Sequence, residues 1–105
     1  MEANLFKGNL DLIVLSVLEG GERYGLEIGK EVDARTDGYF TLNAGSLYPA
    51  LHRLEKQGWV LAEEKAPPRG GPQVRYYTLT STGAAELKRR RDAYQIFDQA
   101  LRALW

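Results

Sequence analysis

The segment PPRGGP, residues 67–72, constrains the fold of this chain more than any other feature. Proline and glycine at this density interrupt helices and strands, and they predict a protruding loop. The flanking runs, residues 60–66 and 73–80, have strand composition, so the loop predicts the long tip of a β-hairpin. The other patterns in the chain are helical. The predicted fold class is therefore mainly α with a small β-hairpin (α+β).

Two helical segments precede the middle of the chain. Residues 5–18 are apolar nearly all round, which a small domain cannot cover alone, so this helix predicts a partner chain. Residues 24–36 predict a second helix with Gly25 and Gly29 on its apolar stripe. Glycine lowers helix propensity by ~1 kcal/mol, so these two residues indicate close approach of a neighbouring helix.

The third helix, in NAGSLYPALHRLEKQGWV (residues 43–60), has an internal proline and two contrasting faces. Leu47, Leu51 and Leu54 lie on one face. The opposite face carries Ser46, Tyr48, His52, Arg53 and Lys56. With Ser46 as the N-cap, Pro49 falls in the first turn, where its missing N–H is tolerated. If the helix begins at Asn43, Pro49 has to bend it.

A long helical pattern follows the hairpin and runs to the C-terminus. Leu87, Tyr94 and Leu101 recur every seven residues, and Phe97 belongs to a second series. A long apolar helix of this kind usually packs on another helix. We therefore expect a domain of residues 1–80 and a dimerisation helix of residues 81–105. Trp105 is expected either to pack on the partner chain or to wall a ligand cavity.

Composition excludes several functions. The chain has no cysteine, which excludes disulfides and thiolate metal sites, and its one histidine, His52, has no companion ligand. No nucleophile–base set or phosphate-binding glycine loop is recognisable, so we expect no enzyme activity and no cofactor. No apolar run approaches the ~20 residues of a membrane helix, and no signal peptide precedes the first helix, so we expect a cytoplasmic protein.

The order of elements predicts a winged helix-turn-helix domain, in which the third helix enters the major groove of DNA and the hairpin is the wing. Residues 65–91 contain seven bases and one acid although the net charge of the chain is zero, and such a segment attracts phosphate locally. On the wing, Arg69 stands beside Gly70 and Gly71, where it can reach a minor groove or a phosphate. Arg75 either joins it or only lines the base of the strand.

Four motifs in this order resemble the PadR family of winged-helix transcriptional regulators. They are LDLIVLSVLEGGERYG (residues 10–25), the Tyr24-Gly25 pair that opens the second helix, GSLYPALHRLEKQGWV (residues 45–60) and RYYTLTSTGAAEL (residues 75–87). The resemblance implies a homodimeric repressor that binds palindromic operators in double-stranded DNA. It also implies that Ser46, Tyr48, Pro49 and His52 contact the DNA backbone, although the family more often has lysine or arginine at the position of His52.

The candidate DNA-binding residues are therefore Tyr24, Ser46, Tyr48, Pro49, His52, Arg53, Lys56, Arg69, Gly70, Gly71 and Arg75. The single final helix resembles the compact subgroup of the family, some members of which bind flat aromatic compounds between crossing C-terminal helices. By this resemblance Tyr94, Phe97 and Trp105 are candidate contacts of a small aromatic effector. Because the sequence pI is near 6.6, a winged-helix module that binds protein and not DNA stays the alternative.

Overall fold

The computed structural model describes residues 3–105, so Met1 and Glu2 of the predicted first domain lie outside the described residues. Within 3–105 the elements are α1 (Ala3–Leu18), β1 (Arg23–Tyr24), α2 (Gly25–Arg35), α3 (Ala44–Lys56), β2 (Val60–Lys65), β3 (Val74–Leu79) and α4 (Ser81–Arg102). This is a winged helix fold, mainly α with a small antiparallel sheet, and it confirms the predicted fold class.

The structure distinguishes the two predicted N-termini of α3. Asn43 is the N-cap, and its side-chain Oδ1 accepts a hydrogen bond of 2.9 Å from the Ser46 backbone N–H. The prediction of Ser46 as the N-cap is therefore wrong, because the asparagine three residues earlier already satisfies the Ser46 N–H. Pro49 consequently lies inside the helix, where it cannot donate to the Gly45 carbonyl. The helix ends before Gly58, which has a φ of 78°.

The sheet has one strand more than the sequence predicted. β2 and β3 form the expected antiparallel hairpin, with Val60 opposite Leu79 and Lys65 opposite Val74. The two-residue strand β1 pairs with the other edge of β3, which gives the order β1-β3-β2. A two-residue strand is too short to leave a period-two pattern in the sequence. Its effect is to fix the start of α2 beside the wing.

The core lies between α1, the other helices and one face of the sheet. Its buried residues are Leu10, Val14, Leu15, Val17, Leu18, Ile28, Val32, Leu47, Ala50, Leu51, Leu54, Val60, Tyr77 and Leu87. Trp59, expected to fill the core between the hairpin and the helices, is half-buried against it, and the Arg90 guanidinium lies 5.2 Å from its ring centre.

The helix α4 is anchored to the domain over its first half, and its second half extends beyond the core. Thr80 is the N-cap and accepts a hydrogen bond of 3.0 Å from the Gly83 N–H. Gly83 packs so closely on the Trp59 carbonyl that a Cβ atom there would overlap it. Within α4, Leu87 is the last buried residue. The described residues measure 53 Å in the longest dimension because the rest of α4 extends away from the core.

Among residues 3–105, no helix is both long enough and apolar enough to cross a membrane.

Candidate nucleic-acid interface

The outer face of α3 is solvent-exposed because the opposite face of the helix is buried in the core. Leu47, Leu51 and Leu54 are buried, which places the other side of the helix outward. The exposed residues of α3 in the predicted set are Tyr48, Pro49, His52, Arg53 and Lys56. The structure therefore offers one hydroxyl, one imidazole and two cations on a helix that is held rigidly from behind.

Tyr48 owes its position to a glycine on the neighbouring helix. Its side chain is 49% exposed and lies across Gly25, the first residue of α2. A Cβ atom at Gly25 would be 2.8 Å from Cε1 and Cζ of the tyrosine ring and still closer to its hydroxyl oxygen. Carbon atoms in contact are ~3.5–4.0 Å apart, so only glycine allows this arrangement. The prediction that a neighbouring helix approaches closely is confirmed at Gly25 but wrong at Gly29, where the atom nearest to an added Cβ is the Leu42 carbonyl oxygen at 3.9 Å.

A notch of about 520 Å³ lies between α3 and the wing. It is lined by Tyr48, His52, Glu55, Lys56, Arg75 and Tyr77. Hydroxyl groups, lysine and arginine are the usual protein ligands of DNA phosphates. Of the predicted DNA-binding residues, the structure thus brings three from α3 together with Arg75 from β3.

Within this notch, Arg75 is paired with a carboxylate of α3. Its Nη2 atom lies 2.9 and 3.0 Å from the two carboxylate oxygens of Glu55, and its guanidinium carbon lies 5.9 Å from the ring centre of Tyr77. Tyr77 and Glu55 both raise the pKa of the Arg75 guanidinium. Arg75 therefore lies on β3 and faces the notch, and its contact with DNA stays a prediction.

Arg53 lies at the other border of the exposed face and is held by α1. Its Nη2 donates to Asp11 Oδ1 at 2.9 Å, and the second oxygen of Asp11 lies 3.8 Å from Arg90 on α4. The Arg53 side chain is nevertheless 54% exposed. The lining of the notch does not include Arg53, so any contact that it makes with DNA is separate from those of Tyr48 and Arg75.

The tip of the wing lies apart from the notch. A turn closes at Pro67–Gly70, where the Gly70 N–H donates to the Pro67 carbonyl at 2.8 Å. Gly70 and Gly71 have φ angles of 83° and 99°, which side-chain-bearing residues rarely adopt. Arg69 is exposed at this turn. The tip therefore presents one cation on a backbone whose shape depends on two glycines.

Two other predicted residues have structural roles that the sequence did not indicate. Tyr24 is the N-cap residue of α2, and its ring packs edge-on to Tyr76 with 5.3 Å between ring centres. Because Tyr76 and Tyr77 point to opposite faces of β3, the Tyr24 ring is on the far side of the sheet from the notch. Ser46 is half-buried in the first turn of α3, where its N–H is taken by Asn43.

The three candidate effector residues are not brought together within one chain. Tyr94 lines a groove of about 530 Å³ between α1, α2 and the loop after α2, whose other walls include Phe6, Ile13 and Phe40. Phe97 and Trp105 lie outside this groove and are 63% and 78% exposed. The Arg102 guanidinium lies 4.9 Å from the centre of the Trp105 ring.

Sequence reasoning missed Glu55 and Asp11, the carboxylates that hold Arg75 and Arg53. Glu55 lies three residues after His52, so its position on the outer face of α3 could have been read from helical spacing. Nothing in the sequence pairs Asp11 with Arg53, because 42 residues separate them. Within residues 3–105, no three potential metal ligands lie close enough together to hold an ion.

This chain is similar to known proteins in both sequence and fold. The sequence model of the "Transcriptional regulator PadR-like family" matches residues 14–89. A transcriptional regulator from Clostridium thermocellum superposes with a TM-score of 0.88 at 26% identity, over 98% of this chain and 96% of that chain. A PadR-like transcriptional regulator from Bacillus cereus superposes with a TM-score of 0.81 at 25% identity, over 96% of this chain and 95% of that chain.

A longer relative matches as well. The transcriptional regulator YqjI of Escherichia coli is 28% identical over 96 residues, which are 91% of this chain and 44% of YqjI. The chain therefore spans less than half of that relative. The family and these relatives are transcriptional regulators, which agrees with the prediction that the chain is not an enzyme. With a family match over most of its length and the same fold, this chain belongs to the PadR-like family of transcriptional regulators.

Proposed function

We propose that this chain is a sequence-specific DNA-binding repressor that acts as a homodimer on palindromic operators in the cytoplasm. The observation that carries the proposal is the notch between α3 and the wing. There Tyr48, His52, Lys56 and Arg75 project from a helix and a strand that are fixed by the core. In winged helix-turn-helix proteins this helix enters the major groove, where phosphate contacts fix its register.

The exposed part of α4 supports the homodimer. Its apolar residues Tyr94, Phe97 and Leu101, with Leu104 just after the helix, form one stripe that the rest of its own chain leaves exposed. The groove beside Tyr94, lined by Phe6, Ile13 and Phe40, is apolar as well. A second copy would cover both surfaces, so residues 81–105 act as the dimerisation helix of the domain formed by residues 1–80. Two α3 helices would then meet the duplex one turn apart, at ~34–36 Å.

A small aromatic effector is a separate part of the proposal. Tyr94, Phe97 and Trp105 would form its contacts where the two α4 helices meet. Such a ligand changes DNA affinity only if it binds one dimer geometry better than another. Quenching of Trp105 fluorescence by planar aromatic compounds, lost in Trp105→Phe, tests the binding. If quenching occurs and DNA affinity does not change, the regulatory part of this proposal is wrong.

The DNA-binding proposal can be tested without knowledge of the operator. Duplexes retained by the protein are selected from a random-sequence pool at moderate salt, and their affinity is then measured by fluorescence anisotropy. We expect enrichment of an inverted repeat with half-sites one helical turn apart, because two symmetric subunits impose their symmetry on the site. The matched control is Tyr48→Ala, which should retain few duplexes while melting at nearly the same temperature. A pool that stays random after selection contradicts the proposal.

A protein-binding winged helix is the second candidate, and the zero net charge of the chain favours it. The same selection separates the two candidates. A protein-binding module should show neither enrichment of duplexes nor a loss of binding as salt rises.

A further inference from the structure

Glu55 is an anomaly on the face that we propose meets DNA. It is a carboxylate among Tyr48, His52, Lys56 and Arg75, and it faces the same notch as they do. A carboxylate beside a phosphate is repelled, so its simplest effect there is to weaken DNA binding. The contacts of Glu55 point to another role.

The hydrogen bonds of Glu55 to Arg75 indicate this role. Both carboxylate oxygens of Glu55 accept from a single nitrogen, Nη2, at 2.9 and 3.0 Å. The guanidinium group has further N–H donors on Nε and Nη1, and Glu55 does not contact them. The pair therefore anchors the guanidinium at Nη2 and leaves the N–H groups of Nε and Nη1 outside the pair.

The two partners belong to the two elements that form the notch. Glu55 is on α3 and Arg75 is on β3, and the Tyr77 ring packs near the Arg75 guanidinium at 5.9 Å. An arginine side chain that is free to rotate loses conformational entropy when a phosphate captures it. Here the carboxylate and the ring hold the side chain against the helix before any ligand arrives.

From this arrangement, and resting on the proposed DNA-binding function, we infer that Glu55 is a positioning residue for DNA recognition. It holds Arg75 between α3 and the wing, with the N–H groups that Glu55 does not occupy left to donate to a DNA phosphate. Glu55 itself donates nothing to DNA. Its negative charge opposes binding, and the orientation of Arg75 outweighs that effect.

The two effects of Glu55 have opposite signs, which makes the test decisive. The affinity of wild-type protein and Glu55→Ala for the selected duplex is measured by anisotropy across a range of salt. If Glu55 positions Arg75, the variant binds on the order of tenfold more weakly for each subunit, since the hydrogen bond from Arg75 to a charged phosphate has been lost. The slope of log affinity against log salt also becomes shallower by about 0.9 per subunit, as for one lost phosphate contact.

Three further variants separate positioning from folding. Arg75→Ala should show the same loss as Glu55→Ala, and the double variant should be no weaker than Arg75→Ala alone. Glu55→Gln, which keeps the shape and one acceptor, should lose less affinity, and it replaces Glu55→Ala if that variant does not fold. Glu63→Ala removes a carboxylate from the other face of the hairpin and should leave the salt slope unchanged.

The outcomes are distinguishable. If wild-type protein selects no duplex, the proposed function is wrong and this inference falls with it. If wild-type protein binds and Glu55→Ala binds equally well or more tightly, the inference alone is wrong, because Glu55 then acts only through its charge or not at all.

Discussion

Replacing Gly25 by alanine adds only one methyl group to a helix. We expect it to weaken DNA binding and to leave the fold intact. The added Cβ atom would lie 2.8 Å from Cε1 and Cζ of Tyr48. Ordinary carbon–carbon contact is ~3.5–4.0 Å, so the tyrosine ring has to move by about 1 Å, and its hydroxyl, at the far end of the ring, by at least as much. The ring can yield because Tyr48 is 49% exposed.

The effect on stability should be small because two contributions oppose each other. Alanine is favoured over glycine in helices by up to ~1 kcal/mol, and the φ of Gly25 is not in the left-handed region. Displacing a half-exposed ring from its contact loses a similar amount of packing energy. We therefore expect a melting temperature within about 5 °C of the wild type, since ~1 kcal/mol corresponds to ~4–8 °C in a domain of this size.

The effect on DNA affinity should be larger. If the Tyr48 hydroxyl donates to a phosphate, the displaced ring loses a hydrogen bond to a charged group, which contributes about 1.5–3 kcal/mol. This corresponds to roughly a 10- to 100-fold weaker complex for each subunit, measured by anisotropy with the selected duplex.

Gly29→Ala is the matched control, because it lies on the same stripe of α2 and an added Cβ atom there would meet its nearest neighbour at 3.9 Å. It should be as stable as the wild type or more so, with unchanged affinity. Gly25→Ala should have no further effect in a Tyr48→Ala background. Wild-type affinity in Gly25→Ala, or a loss of several kcal/mol of stability, would refute the reasoning.

Two other predictions concern α4. Phe97→Asp should shift the protein from dimer to monomer in sedimentation equilibrium, because it puts a charge in the proposed apolar interface. The control Gln99→Asp, on the polar side of α4, should stay dimeric. A dimeric Phe97→Asp would contradict the assignment of the interface. Arg89, and to a smaller degree Arg90, lower the pKa of Glu86 from 4.5 to about 2 against the opposing effect of burial. A lowered carboxylate pKa adds stability that is present above pH ~4.5 and is lost as the pH falls toward 2. Glu86→Gln should therefore be less stable than the wild type by about 1–2 kcal/mol at pH 7. This value is smaller than the full pKa shift would give, because Arg89 is exposed to solvent. Chemical denaturation of both proteins between pH 7 and 3 measures this difference, and a difference that does not shrink at low pH would show that Glu86 acts through something other than its charge.

The sequence predicted the elements well where their signals are local. Four helices, the hairpin and its glycine-rich tip follow from periodicity, Gly58 and the run at residues 67–72, and these signals act within a few residues. The inward face of α3 was predicted for the same reason, because Leu47, Leu51 and Leu54 recur at helical spacing and are buried as expected.

What the sequence did not predict depends on contacts between distant residues. β1 exists because Arg23 and Tyr24 pair with a strand more than fifty residues later in the chain. The N-cap was uncertain because Asn43 and Ser46 are both good capping residues, and only the path of the chain before α3 selects between them. The partners of Arg53 and Arg75 are long-range ion pairs, for which no sequence pattern exists.

The same limit applies to the candidate site. Helical spacing placed Tyr48, His52 and Lys56 on one exposed surface, and the structure agrees. The contribution of Arg75 to that surface depends on the position of β3 relative to α3. The placement of Tyr24 on the other face of the sheet depends on the pairing of β1 with β3, so its proposed contact with DNA has to come from its backbone or from a rearranged ring.

The central claim, that the outer face of α3 meets DNA phosphates in a dimer, is tested most directly by the salt dependence of Lys56→Ala. Lysine contacts with phosphate release counterions, so the slope of log affinity against log salt should become shallower by about 0.9 per subunit, or about 1.8 for the dimer. Lys7→Ala, an exposed lysine on α1, is the control and should keep the wild-type slope. Equal slopes for wild-type protein and Lys56→Ala would mean that this face of α3 does not contact the duplex backbone.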